Sequence, residues 1–554
     1  MKKKWIVFVI ILYSLKSYSQ NIPVLTHIPS IAGDTTGIVL LIHYPDSARY
    51  DTCGAPVAIV IAGGKGSTGI IINYPPVITN YGFIVVFFDF PGGGIFPIES
   101  GGTYDLRGPN CAEALKDIIK FCSGEITDND GKYLSELIPV IPNYENVGLV
   151  GGSNGGNIAI VTAGKYGDEL QGLKWIANWE TPVGDGNILT DMGAVHLGTG
   201  TPTHNIAYND TTGIFDFSKL KYCDTLYFNF NVNFDTLAGF YFDNNNDGQP
   251  NDSTDFKLDP ICFGVGFNER AFYSQKVIQL GYSMGIIPFP KPFYIPTFQE
   301  AKDFWKWRNS ENWIDSVVLK RPDLLFMVTA KNHDHYINAP DHPGILFQYN
   351  NFISSGLNFV RLNPDKSYME YVLDSVYPGL PDNPCFAPFN HLTIRNAMVP
   401  DSIDQKLLYA AAACELADRI IREDFRWQLD SVYGNCDKYI PQYSDSTDTD
   451  SGSVNDSSST VSSVNNHSEI NFSSQLFPNP SSINSNLIIH SLKDENVKIE
   501  VADLSGKIIY SATEKLIRGN NSVQINSTEL DNGFYLMTIQ NSIRFETMKL
   551  EVLH

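Results

Sequence analysis

At 554 residues the chain is too long for one compact domain, so two or three units are expected. Its 43% hydrophobic and 12% aromatic content is that of a globular protein with material for a large core. A formal net charge of −22 argues against nucleic-acid and anionic-membrane binding, because phosphate would be repelled.

The first nineteen residues read as a removable secretory signal. Lys2, Lys3 and Lys4 form a basic start, Trp5 to Leu12 an apolar run, and Ser17-Tyr18-Ser19 offers the small residues a signal peptidase reads. The apolar run is short for a bilayer span, so a retained anchor is the weaker alternative. Eight cysteines suit an oxidising destination. None forms a CxxC pair, which leaves zinc and thioredoxin-like readings without support. Cys223 and Cys262 fall in one apparent insertion and are expected to pair.

From residue 20 to about 440 strand and helix signals alternate. Val57–Ala62 and Ile84–Phe88 are buried β-branched and aromatic runs, and Cys111–Phe121 has helical spacing of its apolar positions. Val147–Val150 reads as a short buried strand, with Asn157–Ala163 continuing from it as a helix. Lys174–Asn178, Leu324–Thr329 and Asn358–Leu362 are further strands. Apolar runs separated by helices predict a parallel sheet covered on both faces. Between about 185 and 295 the pattern breaks into Asn, Asp, Thr and aromatics, which predicts a cap inserted after a central strand. Helices over Asn268–Met284 and Phe298–Asn309 lead back to the sheet. Residues 441–470 are Ser-, Asp- and Thr-rich with no Lys or Arg, a solvated linker. Alternation returns over 471–554, as in Val497-Lys498-Ile499-Glu500-Val501, and predicts a small all-β sandwich.

The strongest chemical signal is Gly151-Gly152-Ser153-Asn154-Gly155, set between a strand and a helix. A turn that tight needs glycine two before and two after the serine, and the helix N-terminus stabilises negative charge. Ser153 is therefore the expected nucleophile. An acid and then a histidine should follow in the chain. Asp334, in the loop beyond Leu324–Thr329, is the first choice of acid, with Asp341 and Glu180 as competitors. His391 follows the last sheet strand and is the expected general base; His333, His335 and His342 come too early for that order. The oxyanion hole is assigned to the N–H groups of Asn154 and Gly64, with Lys65 second for the latter.

Taken together, the glycine loop, Tyr81-Gly82-Phe83-Ile84-Val85-Val86 leading to Asp89, the Ser153 elbow and the Asp334 and His391 positions resemble the α/β-hydrolase superfamily. The resemblance spans residues 56 to about 425. It implies an α/β-hydrolase sheet and acyl transfer without a catalytic metal or cofactor. It does not choose a substrate.

Asp243-Asn244-Asn245-Asn246-Asp247-Gly248 places oxygens at alternate positions before a glycine. That suits a structural calcium ion held by Asp243, Asn245 and Asp247, and equally an unmetallated polar loop. Leu476-Phe477-Pro478-Asn479-Pro480, Asp503-Leu504-Ser505-Gly506-Lys507, Leu530-Asp531-Asn532-Gly533-Phe534-Tyr535 and Lys549-Leu550-Glu551-Val552 resemble, in that order, a type IX secretion (Por) sorting domain. The resemblance implies export through the periplasm of a Gram-negative bacterium, with the type IX machinery as partner and release or attachment at the cell surface. The leading expectation is a secreted carboxylic ester hydrolase acting on a small-molecule or peptide substrate. A prolyl-oligopeptidase-like peptidase and a catalytically inactive surface-binding protein are the alternatives.

Overall fold

A computed structural model of the chain describes residues 21–70, 77–95, 98–184, 191–192, 204–224, 239–250, 255–264, 269–379, 387–429 and 431–433 of a large unit. In a smaller unit it describes 472–477, 481, 484–491, 494–502, 507–528, 530–541 and 545–552. The two compact units divide at Tyr443/Ser444. The expected signal at 1–19 and linker at 441–470 lie outside the described residues, as do Cys385 and Cys436. No helix among the described residues is long and apolar enough to cross a membrane.

Eight strands form the central sheet: β1 Val24–Ile28, β2 Ile38–His43, β3 Ala55–Ile61, β4 Ile84–Phe88, β5 Pro142–Gly152, β6 Leu173–Trp179, β7 Leu325–Thr329 and β8 Phe359–Leu362. Their order is β1-β2-β4-β3-β5-β6-β7-β8. Only β2 runs against its neighbours; every pair from β4 to β8 is parallel. β1 and β2 precede residue 56, where the sequence alone places the start of the sheet. The fully buried Ile38, Val39, Leu40 and Ile42 show that this stretch belongs to the sheet.

Side-chain parity divides the sheet between two cores. Val57, Ile59, Ile61, Leu149, Phe326 and Val328 face α1 (Pro109–Cys122), α2 (Asn154–Tyr166) and later helices. Ala58, Val150, Trp175, Leu325 and Met327 face the long terminal helix of the unit. Both faces are thereby removed from water, which is why the strands read as continuous apolar runs. Gly148 makes room for Trp175: a Cβ there would stand 1.9 Å from the indole.

The chain crosses from β6 to β7 through the expected cap. It contains short strand pairs, helix α3 (Gln275–Ser283) and helix α4 (Phe298–Arg308), and it packs its own core around Phe240, Phe242, Tyr273 and Ile295. The helix expected over Asn268–Met284 is shorter. Arg270–Phe272 is a strand, and Ser274 caps α3 by accepting from the Val277 N–H at 3.1 Å. The expected Cys223–Cys262 disulfide is not formed. Cys223 closes one small sheet and Cys262 sits in another, and neither is in a disulfide. Cys53, by contrast, is disulfide-bonded.

After α5 (Ile314–Lys320) and β7, helices α6 (Pro343–Ser354) and α7 (Lys366–Leu373) flank β8, and α8 (Gln405–Arg422) closes the unit. Asp418 of α8 is fully buried and accepts two 2.7 Å bonds from Arg49, with further bonds from the Tyr50 and Tyr368 hydroxyls. The group ties the start of the sheet to its last helix.

Among its described residues the smaller unit has seven strands, β9 Phe472–Phe477, β10 Asn484–Ser491, β11 Glu495–Ala502, β12 Ile508–Leu516, β13 Gly519–Asn526, β14 Gly533–Gln540 and β15 Phe545–Val552. They make sheets ordered β9-β10-β13 and β12-β11-β14-β15. Leu487, Ile489 and Ile525 from the first meet Val497, Ile499, Val501, Met537 and Ile539 from the second in one core, the predicted sandwich.

Candidate active site

β5 runs directly into Ser153, whose backbone (φ 49, ψ −122) lies in strained territory for a residue with a side chain, and α2 begins at the next residue. The glycines around it are sterically required. A Cβ at Gly151 would stand 2.7 Å from the Gly156 Cα, and one at Gly155 2.4 Å from the Ile61 carbonyl. The Ser153 N–H is spent on the Trp179 carbonyl (2.7 Å), so it is not an oxyanion donor. The Asn154 N–H stands at the head of α2, where the first N–H groups of a helix have no intrahelical acceptor.

The glycine loop after β3 lies against Ser153, where a Cβ on Gly63 would come within 3.2 Å of the Ser153 Cβ. Gly64 adopts φ 70 with open space around its Cα, and its carbonyl accepts from the Asn154 side chain at 3.4 Å. Arg107 holds the loop from behind, donating through Nη2 to the carbonyls of Ala62, Gly63 and Gly66. The two expected oxyanion residues are thus neighbours beside Ser153.

Among the described residues three histidine–carboxylate pairs occupy the loops that follow the strands. His333 with Asp401 (2.6 Å) is exposed on both sides, whereas the other two have buried carboxylates. In the first of those two, His391 Nδ1 stands 2.7 Å from Asp341 Oδ2. Asp341 is fully buried, and the same oxygen accepts from the Tyr208 hydroxyl at 2.6 Å. The His391 ring packs on Gly213 of the cap, where a Cβ would lie 2.4 Å from Nε2. The carboxylate on His391 is therefore Asp341, the competitor, and the Asp334–His391 pairing is not made. Asp334 instead accepts the backbone N–H groups of Tyr336 and Ile337 at 2.8 and 2.9 Å, because an Asp at a loop entry satisfies the turn that follows it.

In the second pair, His335 Nδ1 stands 2.8 Å from Glu180 Oε2. Glu180 has no exposed side-chain surface and also takes the backbone N–H of His335 (3.1 Å). Asp334 adds a carboxylate oxygen 3.3 Å from the same Nδ1. The His335 ring stacks on Trp179 with centroids 4.5 Å apart. Trp179 is the residue opposite Gly152 in the β5–β6 register, and its carbonyl receives the Ser153 N–H. Although burial works against the imidazolium, its hydrogen bonds to Asp334 and Glu180 and their negative charges push the His335 pKa up to about 9. Burial pushes the Glu180 carboxyl up, and the His335 contact opposes that rise.

His335 comes too early in the chain for an acid drawn from the end of β7. The order Ser153, Glu180, His335 nevertheless satisfies the serine–acid–histidine order when the acid comes from the end of β6. Glu180 beside the end of one strand and His335 in the loop after the next was the available signal.

In the cap, Asp243 accepts the Asp247 and Gly248 N–H groups at 3.2 and 3.0 Å, and Asn245 accepts the Asp247 N–H at 2.9 Å. Carboxylate oxygens of Asp243, Asp247 and Asp255 converge within 4.8 Å of one another, an all-oxygen donor set that fits a hard cation. Glu180, Asp334 and His335 also converge within that distance.

Residues 475–552 match the family described as secretion system C-terminal sorting domain. No curated protein matches the chain. Among solved structures, one that the chain resembles is dimeric latent PorU from Porphyromonas gingivalis, 21% identical, with a TM-score of 0.14 over 15% of this chain and 9% of that one. The chain thus spans under a tenth of that protein's length. An esterase of Pyrobaculum calidifontis is 14% identical over 73% of this chain and 86% of that one, with a TM-score of 0.30. A thermostable esterase from Pseudomonas putida ECU1011 is 10% identical over 74% and 85%, with a TM-score of 0.31. The elbow between β5 and α2, set in an eight-stranded sheet of this order, gives the large unit the α/β-hydrolase fold.

Proposed function

We propose that the chain is a secreted serine hydrolase that cleaves carboxylic esters, with Ser153 as nucleophile, His335 as general base and Glu180 as the carboxylate that orients it. One observation carries the assignment: His335 is held through Nδ1, which leaves Nε2 for the hydroxyl, and it stacks on the residue whose carbonyl fixes the Ser153 backbone. Ser153 Oγ adds to the ester carbonyl while its proton passes to His335 Nε2. The oxyanion is received by the N–H groups of Asn154 and Gly64. Collapse of the adduct expels the alcohol, which takes the proton from His335. Water, deprotonated by the same imidazole, then releases the acid and restores Ser153.

The His391–Asp341 pair supports a second assignment of the base, since it shows the same Nδ1 anchoring. Its ring packing on Gly213 of the cap disfavours it. Labelling with a neutral fluorophosphonate in His335→Ala and His391→Ala decides between them. Loss of labelling only in His391→Ala overturns the His335 assignment. No labelling of the native chain favours the inactive binding protein. Peptidase activity remains the enzyme alternative, and a panel of p-nitrophenyl esters against aminoacyl-nitroanilides separates the two.

The sorting domain implies a secreted or cell-surface protein delivered by the type IX machinery. A calcium ion held by Asp243, Asn245, Asp247 and Asp255 would brace the cap and take no part in the chemistry.

A further inference from the structure

Next to the oxyanion residues opens a small, solvent-connected pocket lined by Gly64, Leu106, Arg107, Asn154, Trp307 and Arg308 among others. Its charge is unusual for a buried wall. Arg107 is 5% exposed and Arg308 9%, and neither has a carboxylate within 4.0 Å among the described residues. Arg308 spends its donors on the carbonyls of Asp105, Leu106 and Phe304. Arg107 uses only Nη2, while its Nε and Nη1 are buried with no acceptor. Lys65, at the same wall, differs: it faces Asp259 at 3.7 Å, so its charge is matched. The Asp105 carboxylate lies close enough to offset part of the Arg308 charge. Arg107 has no such carboxylate among the described residues, and a buried guanidinium with unpaired N–H donors is costly.

We infer that this pocket receives a carboxylate carried by the substrate, so that the natural esters are anionic ones, such as half-esters of dicarboxylic acids. The inference rests on the serine-hydrolase reading and adds the substrate class. Arginine suits the role because its charge persists under burial and its donors reach carboxylate oxygens with short, charge-assisted bonds. The apolar walls, Leu106 and Trp307, would hold the methylene spacer between the ester and the acid.

The full-length chain is assayed with two matched pairs. The mono-p-nitrophenyl ester of glutaric acid against p-nitrophenyl butyrate puts the charge on the acyl side. 4-Acetoxybenzoate against phenyl acetate puts it on the leaving group. The expected result is a kcat/KM preference of about tenfold or more for the anionic member of one pair, the size of one bond to a charged group. It should shrink as salt is raised and fall to about unity in Arg107→Met or Arg308→Met, with Arg107→Lys keeping part of it. Because the readout is a ratio within one protein, a general loss of activity cancels. Glutarate, but not glutaramide, should also slow fluorophosphonate labelling of the native chain, which needs no variant. Labelling of Ser153 with no anionic preference in either pair and no protection by glutarate overturns the pocket assignment alone. No labelling overturns the hydrolase reading itself.

Discussion

Glu180→Gln tests the proposed base most directly, because its effect falls on a pH profile that other residues do not share. In the native chain the carboxylates raise His335 from an ordinary 6.5 to about 9. An imidazole accepts a proton only when neutral. With a pKa about two units above neutrality, roughly 1% of it is competent at pH 7. Activity should therefore rise about tenfold per pH unit between 6 and 8 and level off near 9. Replacing Glu180 by Gln removes the buried charge 2.8 Å away, and Asp334 keeps only part of the effect at 3.3 Å. The rising limb should move down toward 6.5. The plateau should fall by about 10²- to 10⁴-fold, since the imidazole loses the acceptor that holds its tautomer. The assay is kcat/KM for p-nitrophenyl butyrate from pH 5.5 to 10, corrected for spontaneous hydrolysis. A limb that stays where it was in Glu180→Gln, or a native profile flat from pH 6 to 9, refutes the His335–Glu180 reasoning.

Other outcomes follow from the same geometry. Ser153→Ala should abolish esterase activity and phosphonate labelling while leaving the melting temperature near native, as mass spectrometry of the adduct and calorimetry will show. Gly155→Ala places a Cβ 2.4 Å from the Ile61 carbonyl and should cost about 1–3 kcal/mol in urea unfolding. Retention of full stability there would mean the elbow is looser than the structure has it. Asp418→Ala leaves Arg49 buried and unpaired, so a loss of about 3–5 kcal/mol is expected, against under 1 kcal/mol for an exposed charge such as Glu125. Chelation by EDTA should lower the melting temperature through the Asp243–Asp255 turn, with calcium restoring it. It should leave Ser153 labelling intact; loss of labelling on chelation would point instead to a cation at Glu180, Asp334 and His335.

Elements whose signal is local were readable along the chain. β4 begins and ends where its apolar run does, and the Ser153 elbow follows from glycines whose Cβ atoms would collide with adjoining backbone. The alternation of Val497, Ile499 and Val501 likewise predicted one face of the sandwich, because side chains in a strand point alternately to either side. β1 and β2 lie ahead of the first strand read from the sequence, although Ile38–Ile42 is as continuous an apolar run as β4; β2 joins the sheet by pairing with β4, and β1 by pairing with β2. What linear order could not decide was which carboxylate meets which histidine. Asp334 and Asp341 lie seven residues apart in one loop, yet the first turns inward on its own backbone and the second reaches across to His391 and Tyr208. Glu180 and His335 are separated by the whole cap, and only the parallel pairing of β6 with β7 brings the ends of those strands side by side. Sequence determined the elbow at Ser153, since backbone sterics within a few residues dictate it. Partners delivered by different strands depend on long-range register, and that register exists only in the folded sheet.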